Sequence, residues 1–273
     1  MKLPPEAFAP PFLRTAGRMR LGQIPIDRLT FAEALDAIEG LVLAGHGGTV
    51  FTPNVDHVVL AEEDERFRLA YRQTDLSLVD GVPVVWASRL FGPRLPERVA
   101  GSDLMRPLAA RAAKKGWRVY LLGAAPGVAQ RVKVILERDY PGINVVGTGS
   151  PNIDIGKEVA DQQAIVEDVR AARPDILFLA LGAPKQEIWA YRVRQLLKPA
   201  VIIGVGATFD FIAGNAKRAP PWVGAAGFEW LYRLVHDPRR LWKRYLVRDP
   251  KFLVILARQI RSNGRGSSQP RMR

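Results

Sequence analysis

Apolar and polar positions alternate along this chain in two rhythms. Short, nearly continuous apolar runs recur at Thr49–Thr52, Leu76–Val79, Trp117–Leu122, Ile143–Val146, Asp175–Leu181 and Ala200–Val205. Runs of this length, bounded by turn residues, predict strands buried on both faces. Between them, apolar residues fall at helical spacing over 55–72, from Gly101 to Lys115, after Gly127 to Tyr140 and over 157–172, and Ala183-Pro-Lys-Gln-Glu187 opens a further helix. Strands alternating with helices predict an α/β fold, a parallel sheet with helices on both faces. Residues 1–19 carry Pro4, Pro5, Pro10 and Pro11 and predict a loose arm ahead of a core over 20–217. Residues 262–273 are rich in Gly, Ser and Arg and predict a disordered tail. No internal repeat is visible.

A different pattern occupies 218–261. Phe228, Leu231, Tyr232 and Val235 recur at i, i+3, i+4 and i+7. From Arg239 to Arg248, a helix turning about 100° per residue gathers Arg239, Arg240, Lys243, Arg244 and Arg248 on one half. Leu241, Trp242, Tyr245 and Leu246 fall on the other. This predicts a basic amphipathic helical appendage. Such a helix lies in the interface of an anionic membrane, here through residues 233–261, or packs on its own domain or on a second subunit. The charge distribution sharpens the point. Net charge is +13, yet Arg233–Arg273 alone holds twelve Lys/Arg against two Asp/Glu, leaving only +3 for the remainder. A nucleic-acid binder spreads its charge more widely, so no nucleic acid is expected as a partner.

Composition narrows the classes further. With 273 residues and 48% hydrophobic content, the chain can bury a full core. It has no cysteine, which excludes disulfides, thiolate metal sites and cysteine nucleophiles and fits a reducing cytoplasm. No apolar run reaches the roughly 18–20 residues that span a bilayer, and no apolar h-region marks a signal peptide.

Candidate chemistry sits at the strand ends, which line the ligand crevice of an open α/β sheet. Asp80 ends a short apolar run and Gly81 turns the chain after it. A carboxylate there suits a general base, and Asp-Gly also suits a plain turn. Thr52-Pro53-Asn54 offers a hydroxyl and an amide to a substrate, or an N-cap to the next helix. Arg98 can bind a diphosphate or lie on the surface, and Gln186 can bind a sugar or sit in a solvated first turn. Gly123, Gly182, Gly206 and Asp210 recur at successive strand ends, and the helix start after Gly123 suits a phosphate. His46, His57 and His236 form no metal spacing, and no Asp-x-Asp pair occurs, so no essential metal or other cofactor is expected. Glu62-Glu-Asp-Glu65 reads as a solvated helix face.

These pieces together resemble the WecG/TagA/CpsF glycosyltransferases (glycosyltransferase family 26). The resemblance is carried by Thr52-Pro53-Asn54, Val79-Asp80-Gly81, Pro96-Glu-Arg-Val-Ala-Gly-Ser-Asp103, Leu121-Leu-Gly123, Leu181-Gly-Ala-Pro-Lys-Gln-Glu187 and Gly204-Val-Gly-Ala-Thr-Phe-Asp210. Pro220-Pro-Trp222 and Glu229-Trp-Leu-Tyr-Arg-Leu234 extend it, in order, over roughly residues 20 to 253. It implies a Rossmann-like sheet and an inverting transferase of bacterial surface polysaccharide synthesis. Such an enzyme moves N-acetylmannosamine, its uronic acid or glucose from a UDP-sugar to an undecaprenyl-diphosphate-linked sugar at the inner face of the cytoplasmic membrane. It implies Asp80 as the base. It implies Thr52, Asn54, Arg98 and Gln186 as substrate residues, joined by Arg233, Arg240 and Lys243 from an appendage that closes over the site. Lys243 is the weaker match, because Lys offers a point charge where Arg offers a fork. Gly123, Gly182, Gly206, Phe209 and Asp210 would hold the nucleotide. A homo-oligomer is compatible with the resemblance.

Two other readings share parts of the pattern. A nucleotide-cofactor oxidoreductase has the same fold class, but the chain lacks GxGxxG. A non-enzymatic membrane- or nucleic-acid-binding module accounts for the charged tail and leaves the polar strand ends unexplained.

Overall fold

A computed structural model of the chain describes residues 17–91, 94–225 and 227–266. It opens on an antiparallel hairpin, β1 (Arg18–Leu21) and β2 (Ile24–Asp27), and helix α1 (Phe31–Ala44) follows. Thr30 and Glu33 close a capping box at the start of α1. Arg18 and Met19 therefore belong to a paired strand and not to a loose arm. Residues 1–16 of the expected arm lie outside the described residues.

The six strands marked by the apolar runs form one parallel, Rossmann-like sheet. They are β3 (Gly48–Phe51), β4 (Leu76–Ser77), β5 (Arg118–Gly123), β6 (Asn144–Gly149), β7 (Ile176–Ala180) and β8 (Val201–Gly204), in the order β4-β3-β8-β7-β5-β6. Helices α2 (Val55–Glu63), α3 (Glu65–Arg72), α4 (Val82–Ser88), α5 (Gly101–Lys115), α6 (Val128–Asp139), α7 (Gln163–Ala171), α8 (Lys185–Val193) and α9 (Thr208–Ile212) connect them. The single helix expected over 55–72 is two, because Asp64 caps α3 by accepting from the Arg66 and Phe67 amides. The alternation of side chains along each strand divides the interior into two cores. Leu177 and Leu179 of β7 pack with Phe67, Tyr71 and Trp189 on one face. Ile176 and Phe178 pack with Leu104, Leu108 and Val132 on the other.

Edge strand β4 positions Asp80. Its outer side is tied to the hairpin, where Asp27 accepts from the Ser77 amide at 2.8 Å and pairs with Arg18 at 2.7 Å. Beyond β4 the chain stays extended. The Leu78 amide donates to the Phe51 carbonyl and the Asp80 amide to the Pro53 carbonyl, both at 2.8 Å. The Val99 amide donates to the Val79 carbonyl at 2.7 Å. Three separate segments carrying Asn54, Asp80 and Arg98 are thereby laced together by backbone.

After the sheet come α10 (Pro221–Ala225), α11 (Glu229–His236), α12 (Pro238–Trp242), a π-helical turn (Lys243–Arg248) and α13 (Lys251–Gly266). Helix α13 folds back on the core. Phe252 and Ile255 enter the first core, Lys251 pairs with Glu63 and Arg258 with Glu62, each at 2.6 Å. Gln259 accepts from the Gly22 amide and donates to the Arg20 carbonyl, each at 2.8 Å. The acidic run at 62–65 is thus the seat of the C-terminal helix and not a free solvated face. Residues 262–266, expected to be disordered, continue that helix, and 267–273 lie outside the described residues. No helix among the described residues is long and apolar enough to cross a membrane.

Gly123 ends β5 with φ +115°, and a Cβ there would stand 2.5 Å from the Ala180 carbonyl oxygen of β7. Neighbouring backbone cannot yield as a flexible side chain does. Gly123→Ala should destabilise the fold by about 3 kcal/mol, read as a lowered urea midpoint; an unchanged midpoint would show that the β5–β7 spacing is elastic.

Candidate active site

A cavity of about 400 Å³ opens where β3 and β4 end, between the core and the returning appendage. The core brings Asn54, Asp80 and Arg98 to it, and the appendage brings Glu229, Arg233 and Arg244. Gly81, with φ +137° and Asn54 Cβ 3.6 Å from where a side chain would begin, lets the chain turn tightly behind Asp80.

Arg98 organises the acids. Its Nη1 donates to Asp80 Oδ1 at 3.3 Å and lies 3.6 Å from Glu229 Oε2, while Nη2 donates to Asp103 Oδ2 at 2.8 Å. Arg233, one helical turn after Glu229, donates to that carboxylate. Burial pushes the Asp80 pKa up to about 6, against the pull of Arg98 and with a further push from Glu229. A carboxyl with that pKa is ionised at neutral pH and is a stronger proton acceptor than an exposed aspartate.

A second acid, Asp56, stands only 3% exposed in the first turn of α2 and takes two guanidinium groups. Arg244 Nε lies 3.2 Å from Asp56 Oδ2 and Arg248 Nε 2.7 Å from Oδ1. Arg244 Nη2 also donates to Asn54 Oδ1 at 3.3 Å. Beneath them Glu187 is fully buried, accepts from Gln186 Nε2 at 2.7 Å and has its pKa raised to about 7 by burial. His57 and Tyr71 are bonded at 2.6 Å in the adjoining core, and burial lowers the His57 pKa to about 3. His57 is therefore a neutral structural residue.

The expected site residues divide into three groups. Asn54, Asp80, Arg98 and Arg233 converge on the cavity. Asn54 lines the cavity and also fills the anticipated N-cap of α2, accepting from the His57 amide. Thr52 and Gln186 lie just behind it, 7% and 4% exposed. Gln186 is a brace: its Oε1 accepts from the Gly206 amide at 3.1 Å and fixes the exit from β8. Thr52 packs beside Gly101, where a Cβ would meet its hydroxyl at 3.1 Å and the Gly204 carbonyl at 3.0 Å.

The nucleotide set lies apart, over β5, β7 and β8. Gly182 and Gly206, with φ +73° and +54°, each leave open space where a side chain would stand. Gly123 is explained by the approach of β7. Phe209 is a correction: its ring is fully buried in the second core and presents no surface to a ligand. Asp210 braces its own loop, accepting from Asn215 Nδ2 at 3.2 Å. In the appendage, Lys243 is exposed, with its ammonium 5.6 Å from the Trp242 ring centre, and does not line the cavity. Arg240 belongs to α12 by its backbone, and its side chain lies outside the described residues.

Arg244, Asp56 and Glu229 are site residues that the sequence reading did not pick out. The i, i+4 repeat of Arg244 and Arg248 was the available signal. A uniform 100° helix puts all five basic residues together, on the face that the membrane reading sets against anionic lipid. The wider π turn rotates Arg244 and Arg248 onto the core instead. Among the described residues, no group of three or more His, Asp or Glu side chains is arranged to hold a metal ion.

A parallel α/β sheet with ionisable side chains gathered at its carboxyl edge, under a basic helical cover, defines a ligand-binding α/β protein with an active-site chemistry of acids and arginines. The chain belongs to the glycosyl transferase WecG/TagA/CpsF family, whose family model matches residues 19–266. It is similar to the N-acetylglucosaminyldiphosphoundecaprenol N-acetyl-beta-D-mannosaminyltransferase of Bacillus spizizenii (strain ATCC 23059 / NRRL B-14472 / W23), with 33% identity over 247 residues, 88% of this chain and 93% of that one. It is likewise similar to the protein of the same name from Bacillus subtilis (strain 168), 34% identical over 213 residues, 78% of this chain and 80% of that one. The protein is accordingly a glycosyltransferase, which sets aside the oxidoreductase and non-enzymatic readings.

Asp56→Ala leaves two guanidinium groups without their buried partner. Limited trypsin digestion should then cut at Lys243, Arg244 and Arg248 at least tenfold faster while the core fragment survives. An unchanged digestion pattern would mean that α13 alone holds the appendage down.

Proposed function

We propose that the protein moves a sugar from a UDP-sugar to an undecaprenyl-diphosphate-linked sugar, with inversion and with Asp80 as the general base. The observation that carries this is a raised-pKa carboxylate in a cavity wall, bonded to Arg98 and faced by arginines of the appendage. The names of the two relatives favour N-acetylmannosamine as the donor sugar and an N-acetylglucosaminyl lipid diphosphate as the acceptor. Its uronic acid and glucose are the other donors to assay.

In this reading Asp80 takes the proton of the acceptor hydroxyl as that oxygen attacks the anomeric carbon. The bond to the UDP oxygen breaks on the opposite face, and its electron pair leaves with the diphosphate. Arg98, Arg233 and Arg244 line the cavity paired with Asp80, Glu229 and Asp56, and by exchanging those partners for the departing diphosphate they would take the task that a divalent cation performs in other sugar-nucleotide enzymes. The open glycines at 182 and 206 suit a nucleotide diphosphate approaching the backbone. Membrane attachment at the inner leaflet would use the outer surface of the appendage. There Trp242, Leu246 and Val247 are exposed beside Lys243, so apolar insertion carries more of the attachment than the inward-turned arginines can.

Asp80→Asn should lower kcat by about 10²–10⁴-fold with UDP binding retained, measured by UDP release with EDTA present. Retained turnover would remove Asp80 as the base. The pH dependence has a definite sign. The base works only when ionised, so kcat/KM should fall as pH drops through about 6. The folded carboxyl holds its proton more tightly than the unfolded one, so its ionisation costs stability as pH rises from about 4 to about 6. The inactive Asn variant should therefore melt no lower than the parent at pH 7. Replacing Leu246 and Val247 together by Glu should weaken binding to anionic vesicles at least tenfold; equal binding would assign this surface to protein contacts.

A further inference from the structure

The two arms of Arg98 go to different acids. Nη1 reaches Asp80 Oδ1 at 3.3 Å, and Nη2 reaches Asp103 Oδ2 at 2.8 Å. A guanidinium fork can give both arms to one carboxylate, and that bidentate pair is the stronger arrangement. Here the shorter contact goes instead to Asp103, which does not line the cavity.

Asp103 is itself held in place. It stands in the first turn of α5, where the helix dipole favours a carboxylate. That turn is seated on the end of the sheet, because Gly101 brings its backbone to where a Cβ would stand 3.0 Å from the Gly204 carbonyl. The other oxygen of Asp103, Oδ1, pairs with Arg218. Arg218 comes from the stretch between α9 and α10 that leads from the sheet to the appendage. Both oxygens of Asp103 are therefore engaged, one by each arginine.

The surroundings of Asp80 give this division a consequence. Burial pushes its pKa up to about 6, with Glu229 and Asp103 adding to the push and Arg98 and Arg233 pulling the other way. Tyr71 of α3 faces it as a neutral phenol, its own pKa raised by burial. Asp56 and Arg244, paired with each other, line the same cavity. Arg98 is the cation bonded to Asp80, and the number of its arms on that carboxylate sets how readily Asp80 takes a proton.

We propose that Asp103, held by Arg218, is a positioning residue that keeps one arm of Arg98 off Asp80 and leaves the Asp80 carboxylate a single guanidinium contact. This rests on Asp80 being the general base, as proposed above, and deepens it. Asp103 acts through Arg98. Without its carboxylate, the freed Nη2 closes on Asp80 and holds that carboxyl ionised to lower pH.

The test follows the Asp80 carboxyl by NMR in full-length protein isotopically labelled at the aspartate carboxyls, its signal identified by its absence in Asp80→Asn. The parent should titrate at about pH 6, and Asp103→Asn should lower the midpoint by at least about half a unit. A midpoint that rises would overturn the proposal, because it would show that Asp103 merely anchors Arg98, which swings away without it. An unchanged midpoint would overturn it too. In an Arg98→Lys background there is no fork to divide, so Asp103→Asn should give less than about half of that shift. An equal shift there would reduce Asp103 to a distant charge and sink the idea. Asp103→Ser carries the same expectations if the Asn variant does not fold. The acid limb of kcat/KM should move with the carboxyl, and kcat at pH 7 should fall severalfold while the KM for the UDP-sugar stays put. If the carboxyl shifts and the limb does not, the positioning role stands and Asp80 is not the base.

Discussion

One buried carboxylate ties the appendage to the core beside the cavity. Asp56 starts a helix of the core and receives Arg244 and Arg248 from a single turn of the appendage. An unpaired charge at 3% exposure would be untenable. Two arginines neutralise it and bring a whole segment with them. In the same appendage Glu229 reaches Arg98, Arg233 reaches Glu229, and the cavity acquires a roof. The net gain in stability from such a pairing is small. What it delivers is the position of the appendage.

The core of the site runs on a related economy. Arg98 serves Asp80, Asp103 and Glu229 together, so the Asp80 carboxyl is held by a group that is itself held twice. Asp80 is oriented without being fully neutralised, which leaves it basic. The segments that bear these residues are joined by main-chain hydrogen bonds, and the geometry therefore depends little on the mobility of long side chains.

Much of this was legible in the sequence, and the exceptions have physical causes. The strands declared themselves because strands covered on both faces read as unbroken apolar runs, and the polar residue after each run marks the crevice. That logic found Asp80 and Asn54, and Arg98 came from the family resemblance. It overlooked the hairpin at 18–27, whose short strands carry charged residues between apolar ones, and it passed over the Thr30-x-x-Glu33 signal at the start of α1. It set Phe209 in the nucleotide site because a motif gives a neighbourhood and not the direction of a side chain. It grouped Arg244 with four other basic residues on one face because a helical wheel assumes one pitch, and the π turn changes that pitch where the appendage meets the core.

The chain distance across the site has a consequence for how the enzyme comes into being. Asn54 and Arg244 touch although 190 residues separate them, and Gln259 grips the hairpin from 237 residues beyond Gly22. A ribosome delivers the sheet, with Asp80, well before it delivers the roof. The nascent core is a scaffold with an open, uncommitted edge. The cavity has all of its walls only once the returning helix has found the first strands.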